Sequence, residues 1–200
     1  MADAWHTLSS RTVIKDRWID LRADRCVTPS GAEIAPYYVL TYPDWVHVVA
    51  LTADDRMVVV RQYRHAVGKV TLEIPGGVID AADSGPLAAA QRELAEETGY
   101  TAQTWRMLGG FHPNPATHTN RVHVALALDA RMQVEPSPDV GEEGLETLTM
   151  SIREILDGLP TGLLAQAMHV AAVYLGLAAA GHLVARPGGP AALENMVGPA

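Results

Sequence analysis

Two hundred residues, 48% of them hydrophobic, carry enough apolar surface for one substantial core with room for a small extra subdomain. A net charge of −8 with no long basic run excludes nucleic acid as a main partner, because neutralising a phosphate backbone needs clustered Lys and Arg. Cys26 is the only cysteine, which excludes an intrachain disulfide and fits a reducing, cytoplasmic setting, and the opening MADAWHTLSSR lacks the basic-then-apolar pattern of a secretory signal.

Residues 1–10 are expected to fray. Strands are expected at 12–14, 18–27 and 36–42, with Thr28-Pro29-Ser30-Gly31 as the turn between the last two, giving a small antiparallel sheet ahead of the main domain. Residues 46–51 and 57–61 are compact, β-branched-rich runs separated by Thr52-Ala53-Asp54-Asp55-Arg56, a hairpin pattern. The second run continues to Arg64, whose guanidinium fork suits two oxygens of a diphosphate as well as it suits a structural ion pair. Glu73, just before Pro75-Gly76-Gly77, is either a metal-facing carboxylate or the partner of a neighbouring arginine.

Pro86 suits a first helical position and Gly99 a C-terminal cap, so the sequence predicts a helix over 86–98. At 100° per residue Leu87, Ala90, Gln91, Leu94 and Thr98 gather on a side that can face a core, with Glu93, Glu96 and Glu97 as the adjacent stripe. Carboxylates at i, i+3 and i+4 repel one another, and Arg92 offsets only part of that charge. A divalent ion would offset the rest, since clustered carboxylates beside a backbone carbonyl are the hard oxygen ligands that Mg²⁺ or Mn²⁺ prefers. The plainer reading is a solvated acidic helix face.

Beyond the helix, residues 105–110 read as a strand and 112–120 as a loop. His112, His118 and His123 lack the tight His or Cys spacing of a zinc site, while Asn120 and Arg121 are positioned to read a polar part of a substrate. Residues 121–128 alternate as a strand, with Val122, Val124, Leu126 and Leu128 on one side. The Pro-rich 135–138 leads to a glycine-flanked acidic segment, 139–144, that can close over a phosphate complex and bring Glu142 or Glu143 with it. A strand at 146–150 and a helix over 152–157, boxed by Ser151 and Glu154, follow. Residues 162–184 are uncharged and long enough to span a bilayer, yet a bulky stripe opposes a small-residue face, as in a core helix over 162–180. No membrane association is expected, and the tail from 185 reads as flexible.

The string Gly77 … Arg92-Glu93-Leu94-x-Glu96-Glu97-x-Gly99-Tyr100 resembles the Nudix box, G-x5-E-x7-R-E-U-x-E-E-x-G-U. Its second half matches at every specified position. Its first half departs: Asp83 stands where the box has Glu, and eight residues rather than seven separate it from Arg92, with the insertion in the turn 84–86. The order VVVRQYR…TLEIPGG, and Pro115 sixteen residues after Gly99, resemble the ADP-ribose and ADP-sugar pyrophosphatase branch; the residues after Pro115 do not match that branch's Gly-x-Ser-x-Glu run.

The resemblance implies an α+β fold, an α/β/α sandwich on a mixed sheet over 46–184, preceded by a small N-terminal antiparallel β subdomain over 1–45 that serves homodimerisation. It implies Mg²⁺ or Mn²⁺ held by Glu93, Glu96, Glu97 and the Gly76 carbonyl. Glu142, Glu143 and Arg92 make up the catalytic set, with one loop glutamate as base, and Arg64, Asn120 and Arg121 bind substrate. The implied reaction is hydrolysis of a nucleoside diphosphate derivative, ADP-ribose or a nucleotide sugar, to a nucleoside monophosphate and a sugar phosphate. Dinucleoside polyphosphates, a coenzyme, noncanonical nucleotides, or sensing without turnover are the alternatives. Trp18, Tyr37 and Trp45 are available to stack on a base, and equally to pack.

Overall fold

The computed structural model describes residues 3–183. Strands β1 (His6–Lys15), β2 (Asp20–Val27) and β3 (Glu33–Leu40) form an antiparallel sheet in that order. Residues 6–10, expected to fray, are instead the first half of β1, because His6 pairs with Val27 and Ser10 with Asp24 along the ladder. The first strand therefore begins well before 12, and the third ends at Leu40 rather than 42. The turn after β2 is as read: Gly31 N donates to Thr28 O, with Gly31 at φ 85°.

The main sheet comprises β4 (Trp45–Thr52), β5 (Arg56–Arg64), β6 (Lys69–Glu73), β7 (Gly76–Val78), β8 (Tyr100–Thr101), β9 (Thr104–Phe111), β10 (Val122–Met132) and β11 (Glu146–Ser151). Its path is β11-β5-β4-β10-β8, with β6 on β5, β7 on β4 and β9 on β10. The β4–β10 pair is parallel and the others are antiparallel, which makes the sheet mixed. Among the described residues three α-helices pack on the sheet: α1 (Pro86–Thr98), α2 (Ile152–Gly158) and α3 (Ala167–Ala179).

Strand β4 is the spine. Its side chains alternate between faces, so Val46, Val48 and Ala50 pack with Ala89, Ala90 and Leu94 of α1. Val49 and Leu51 pack on the opposite face with Ile155 of α2 and Ala172, Val173 and Leu177 of α3. The α/β/α sandwich follows from that alternation.

Helix α3 is shorter than the expected 162–180. Gly162, at φ 82°, closes a one-turn 3-10 helix (Leu159–Thr161), and Leu164 then bridges to Leu72, so this backbone bonds to the sheet before the helix begins. The small-residue face of α3 is the buried one: a Cβ on Gly176 would lie 2.6 Å from Val49 Cγ1. Gly176→Ala is expected to destabilise the fold by about 1–3 kcal/mol through overpacking, read as a lower urea midpoint with unchanged slope. Among the described residues no helix is long and apolar enough to cross a membrane. The tail over 185–200 lies outside the described residues.

The 112–120 loop is the seam between the two sheets. Leu40 N donates to Thr117 O, Thr119 N donates to Leu40 O, and the Tyr37 hydroxyl donates to Ala116 O. Tyr42, Trp45 and His118 form an aromatic cluster beneath it, with Tyr42 and His118 ring centroids 5.3 Å apart.

Candidate active site

The site begins where β7 runs under α1. Gly76 and Gly77 pair with His47 and Val46 of β4, which lays the turn against the helix. A Cβ on Gly77 would collide with Glu93 Oε1, so glycine lets that carboxylate rest on the backbone. Gly76 N donates to Glu97 Oε2 at 3.0 Å. Gly99, at φ 71°, ends the helix with its N–H on Ala95 O.

Helix α1 is rotated from the expected core face. Ala89, Ala90, Glu93, Leu94, Glu97 and Thr98 are buried, whereas Leu87 and Gln91 reach solvent. Glu93 and Glu97 are 8% and 2% exposed and line the turn, while Glu96 is half-exposed and bonds to Arg92 at 2.9 Å. The acidic stripe is thus two buried carboxylates and one partly solvated one.

Burial raises the Glu93 carboxyl to about 7, with the charges of Glu142 and Glu96 pushing the same way and Arg92 opposing. Burial also raises Glu97 well above the carboxylate range, and Glu142 adds to it through its charge and a side-chain hydrogen bond.

Arg92 is heavily engaged. Its Nε and Nη2 grip Asp83 at 3.1 and 2.9 Å, Nη1 bonds to Glu93 and Glu96, and Nη2 also donates to Val78 O. These bonds, that to Asp83 foremost, raise its pKa. The geometry makes it a clasp joining the 78–83 turn to α1. Asp83 reaches Arg92 despite the insertion, which Gly85, the N-cap of α1 at φ 150°, accommodates in the preceding turn. Asp83→Ala is expected to lower kcat by about tenfold at most, because it loosens the clasp without touching Glu97; steady-state kinetics checks this.

Arg64, at the end of β5, grips Glu73 with Nε on Oε1 at 2.8 Å and Nη2 on Oε2 at 2.6 Å. Burial alone would raise Glu73, but hydrogen bonds from Arg64 and from the Thr71 hydroxyl at 2.7 Å hold it below the usual range. Glu73 therefore takes the arginine-partner reading. The guanidinium also lies within electrostatic reach of Glu97 and Glu142.

The segment after β10 is tied to the end of α1. Gln133 N donates to Gly99 O at 2.9 Å and Ser137 N to Glu96 O at 2.8 Å, and on the far side the Thr147 hydroxyl reaches Glu97 O. Between these ties Glu142 ends a one-turn 3-10 helix (Val140–Glu142) boxed by Asp139. Glu142 is brought to the acids, and Glu143 is exposed beside it.

The structure does not bring Asn120 to this cluster. It is 2% exposed and its Nδ2 donates to Pro43 O at 3.0 Å, so its amide braces the entry to β4 rather than facing a substrate. Arg121 is exposed, with its N–H on Asp44 Oδ1. His112 bonds to Asn120 O and His123 to Asp44, while His118 packs in the aromatic cluster, so the three histidines do not converge. Two others, His47 and His169, are buried edge to face beneath the turn with ring centroids 4.3 Å apart. Sequence reasoning passed over His47 inside its apolar strand and placed His169 only on a helix face.

Among the described residues no three His, Cys, Asp or Glu side chains already converge as a metal cage. The donor set nonetheless suits a hard divalent ion: two buried carboxyls held above their ordinary range by desolvation and by neighbouring carboxylate charge, beside a glycine turn without side chains of its own.

Residues 41–168 match the NUDIX domain family. The chain belongs to the Nudix family. Residues 5–40 of this Nudix hydrolase match a second family, the nucleoside diphosphate sugar hydrolase N-terminal domain. It is 27% identical over 150 residues to an ADP-ribose pyrophosphatase of Bacillus subtilis, an alignment covering 75% of this chain and 80% of that protein. It is 34% identical over 127 residues to an ADP-ribose pyrophosphatase of Mycobacterium tuberculosis, covering 64% and 61%. The crystal structure of an ADP compounds hydrolase superposes with a TM-score of 0.79 at 21% identity, covering 92% of this chain and 99% of that one, which shows the same fold. Divalent metal ions are the general cofactors of Nudix hydrolases, as the donor set suggests.

Proposed function

We propose that this Nudix hydrolase cleaves ADP-ribose or a closely related nucleotide sugar, with Mg²⁺ as the preferred ion and Mn²⁺ as a substitute, to a nucleoside monophosphate and a sugar phosphate. The observation that carries this reading is the burial of Glu93 and Glu97 against the Gly76-Gly77 turn, with Glu142 and the Arg64 guanidinium in electrostatic reach of Glu97: ligand carboxylates, a proton acceptor and a phosphate-gripping cation in one place. The relatives named ADP-ribose pyrophosphatases support the substrate class, as does the match of residues 5–40 to the nucleoside diphosphate sugar hydrolase N-terminal domain.

Glu93, Glu97 and the Gly76 carbonyl would hold the ion, with Glu96 at the solvent edge. When bound, it neutralises phosphoryl oxygens and makes phosphorus a better electrophile. Glu142 accepts the proton of the attacking water as its oxygen bonds to phosphorus and the bridging P–O bond breaks. Arg64 Nη1, without a protein hydrogen bond among the described residues, grips a non-bridging oxygen. Arg92 positions Glu93 and Glu96 rather than meeting substrate.

The protein works as a cytoplasmic homodimer through its N-terminal sheet, on which Trp5, Leu8, Ile14 and Trp18 are exposed large apolar side chains.

The test is product chromatography after incubation with Mg²⁺ and ADP-ribose, other nucleoside diphosphate sugars, dinucleoside polyphosphates and nucleoside triphosphates, alongside Glu142→Gln. AMP release from ADP-ribose, cut by about a hundredfold or more in the variant, is the expected result. Binding without cleavage of any compound would replace the reading with a sensor, and full activity in Glu142→Gln would remove that residue as base.

A further inference from the structure

The His47–His169 pair has no part in the chemistry above, yet its burial is hard to account for as packing. The two rings are 5% and 3% exposed, lie on the α3 face of the sheet, and each leaves Nδ1 without a hydrogen-bond partner. Apolar side chains of similar size would avoid that desolvation. Burial pushes His169 down to about 4 and His47 down to about 3, so both are neutral, with one N–H and one lone pair each.

What His169 faces explains its place. Its Nδ1 lies 3.9 Å from Glu73 Oε2. Of the two Glu73 oxygens, Oε1 is bonded by Arg64 Nε and Thr71, while Oε2 has Arg64 Nη2 as its single hydrogen-bond donor. His169 thus stands beside the Glu73 oxygen that has the fewer donors. An Nδ1–H dipole across 3.9 Å falls short of a full hydrogen bond but favours the carboxylate and keeps water off it. His47, opposite Gly76 on β4, closes the far side of the imidazole.

We propose that His169 is a positioning residue for Arg64. Acting through Glu73 and braced by His47, it locks the carboxylate in the orientation that holds the Arg64 fork and leaves Nη1 for the substrate. This rests on the reading of Arg64 as the diphosphate clamp. It also assigns a purpose to the polar interruption in an otherwise apolar α3: the helix reports its docking on the sheet to the substrate clamp.

The experiment pairs His169→Leu, which keeps volume and removes the dipole, with His169→Gln, whose amide N–H can reach Glu73. Two readouts are taken on the full chain: the slowly exchanging Arg64 Nε–H resonance, assigned by its loss in Arg64→Lys, and KM against kcat for ADP-ribose. The expected result is that His169→Leu folds, loses the Nε–H resonance to exchange broadening, and raises KM about tenfold with kcat within about threefold. His169→Gln restores both, and Arg64→Ala/His169→Leu is no worse than Arg64→Ala alone.

Retention of the resonance in His169→Leu overturns the proposal whatever happens to activity. So does a KM effect that adds fully to that of Arg64→Ala. Loss of the resonance with unchanged KM upholds the positioning and overturns Arg64 as the clamp. If His169→Leu does not fold, His47→Phe replaces it and faces the same two readouts, and a KM effect not restored by His169→Gln counts against the proposal.

Discussion

Glu97→Gln is expected to cut turnover by about a hundredfold or more while leaving the fold intact. The amide oxygen can still accept the Gly76 N–H, so the helix stays docked on the turn. What disappears is a negative oxygen donor that is 2% exposed and already crowded by Glu142. The same crowding predicts an opposite effect on stability: without an uncompensated buried acid, the metal-free variant melts above the wild type at pH 7.5. Kinetics and calorimetry on one preparation check both, and wild-type turnover in the variant would remove Glu97 from the site.

The second large effect is a metal-dependent change in how stability follows pH. Glu93 titrates near 4.5 when unfolded and is raised to about 7 when folded, and Glu97 is raised in the same sense. Between those values the two acids hold more protons folded than unfolded, so their contribution to stability falls as pH climbs from 4.5 through 7. A shift of that size for Glu93 corresponds to about 3 kcal/mol, an order-of-magnitude figure. Glu73 works in reverse, being held below its ordinary range, and its contribution is lost only as pH drops below 4.5. His47 and His169, held down to about 3 and 4, oppose the acids by adding stability as pH climbs to 6.5. Melting curves in chelator should therefore stay level up to about pH 6.5 and decline from there towards pH 8, whereas Mg²⁺ should flatten that decline by binding the deprotonated carboxylates. A flat curve in chelator would show that the acids are compensated by some other group.

Much of this site was readable from short-range pattern. Pro86 and Gly99 bound the helix because one fits its start without an N–H and the other fits its end at positive φ, both local requirements. Ser151 and Glu154 capped the next helix for the same kind of reason. What depends on packing was less legible. The 100° projection put Leu87 in the core, but the helix turns Ala89 and Glu93 inward because the glycine turn leaves room for a carboxylate and little for a leucine. Strand β1 was missed over 6–10 because its side chains are exposed and its reason for existing is a ladder with residues 24–27. Asp83 seemed displaced by the insertion, yet a flexible turn lets it reach Arg92. His47 gave no signal beyond being one polar residue in an apolar run.

Both ends of the stretch bearing Glu142 are moored to the last turn of α1, through Glu96 and Gly99 on one side and Glu97 on the other. Glu142, the proposed proton acceptor, and the acids of α1 therefore share a single frame of reference. The 112–120 seam and the N-terminal sheet attach elsewhere, to each other through Leu40. Evolution or an engineer can exchange those parts without re-aligning the hydrolytic centre, and this portability lets one phosphorus chemistry be offered to many leaving groups.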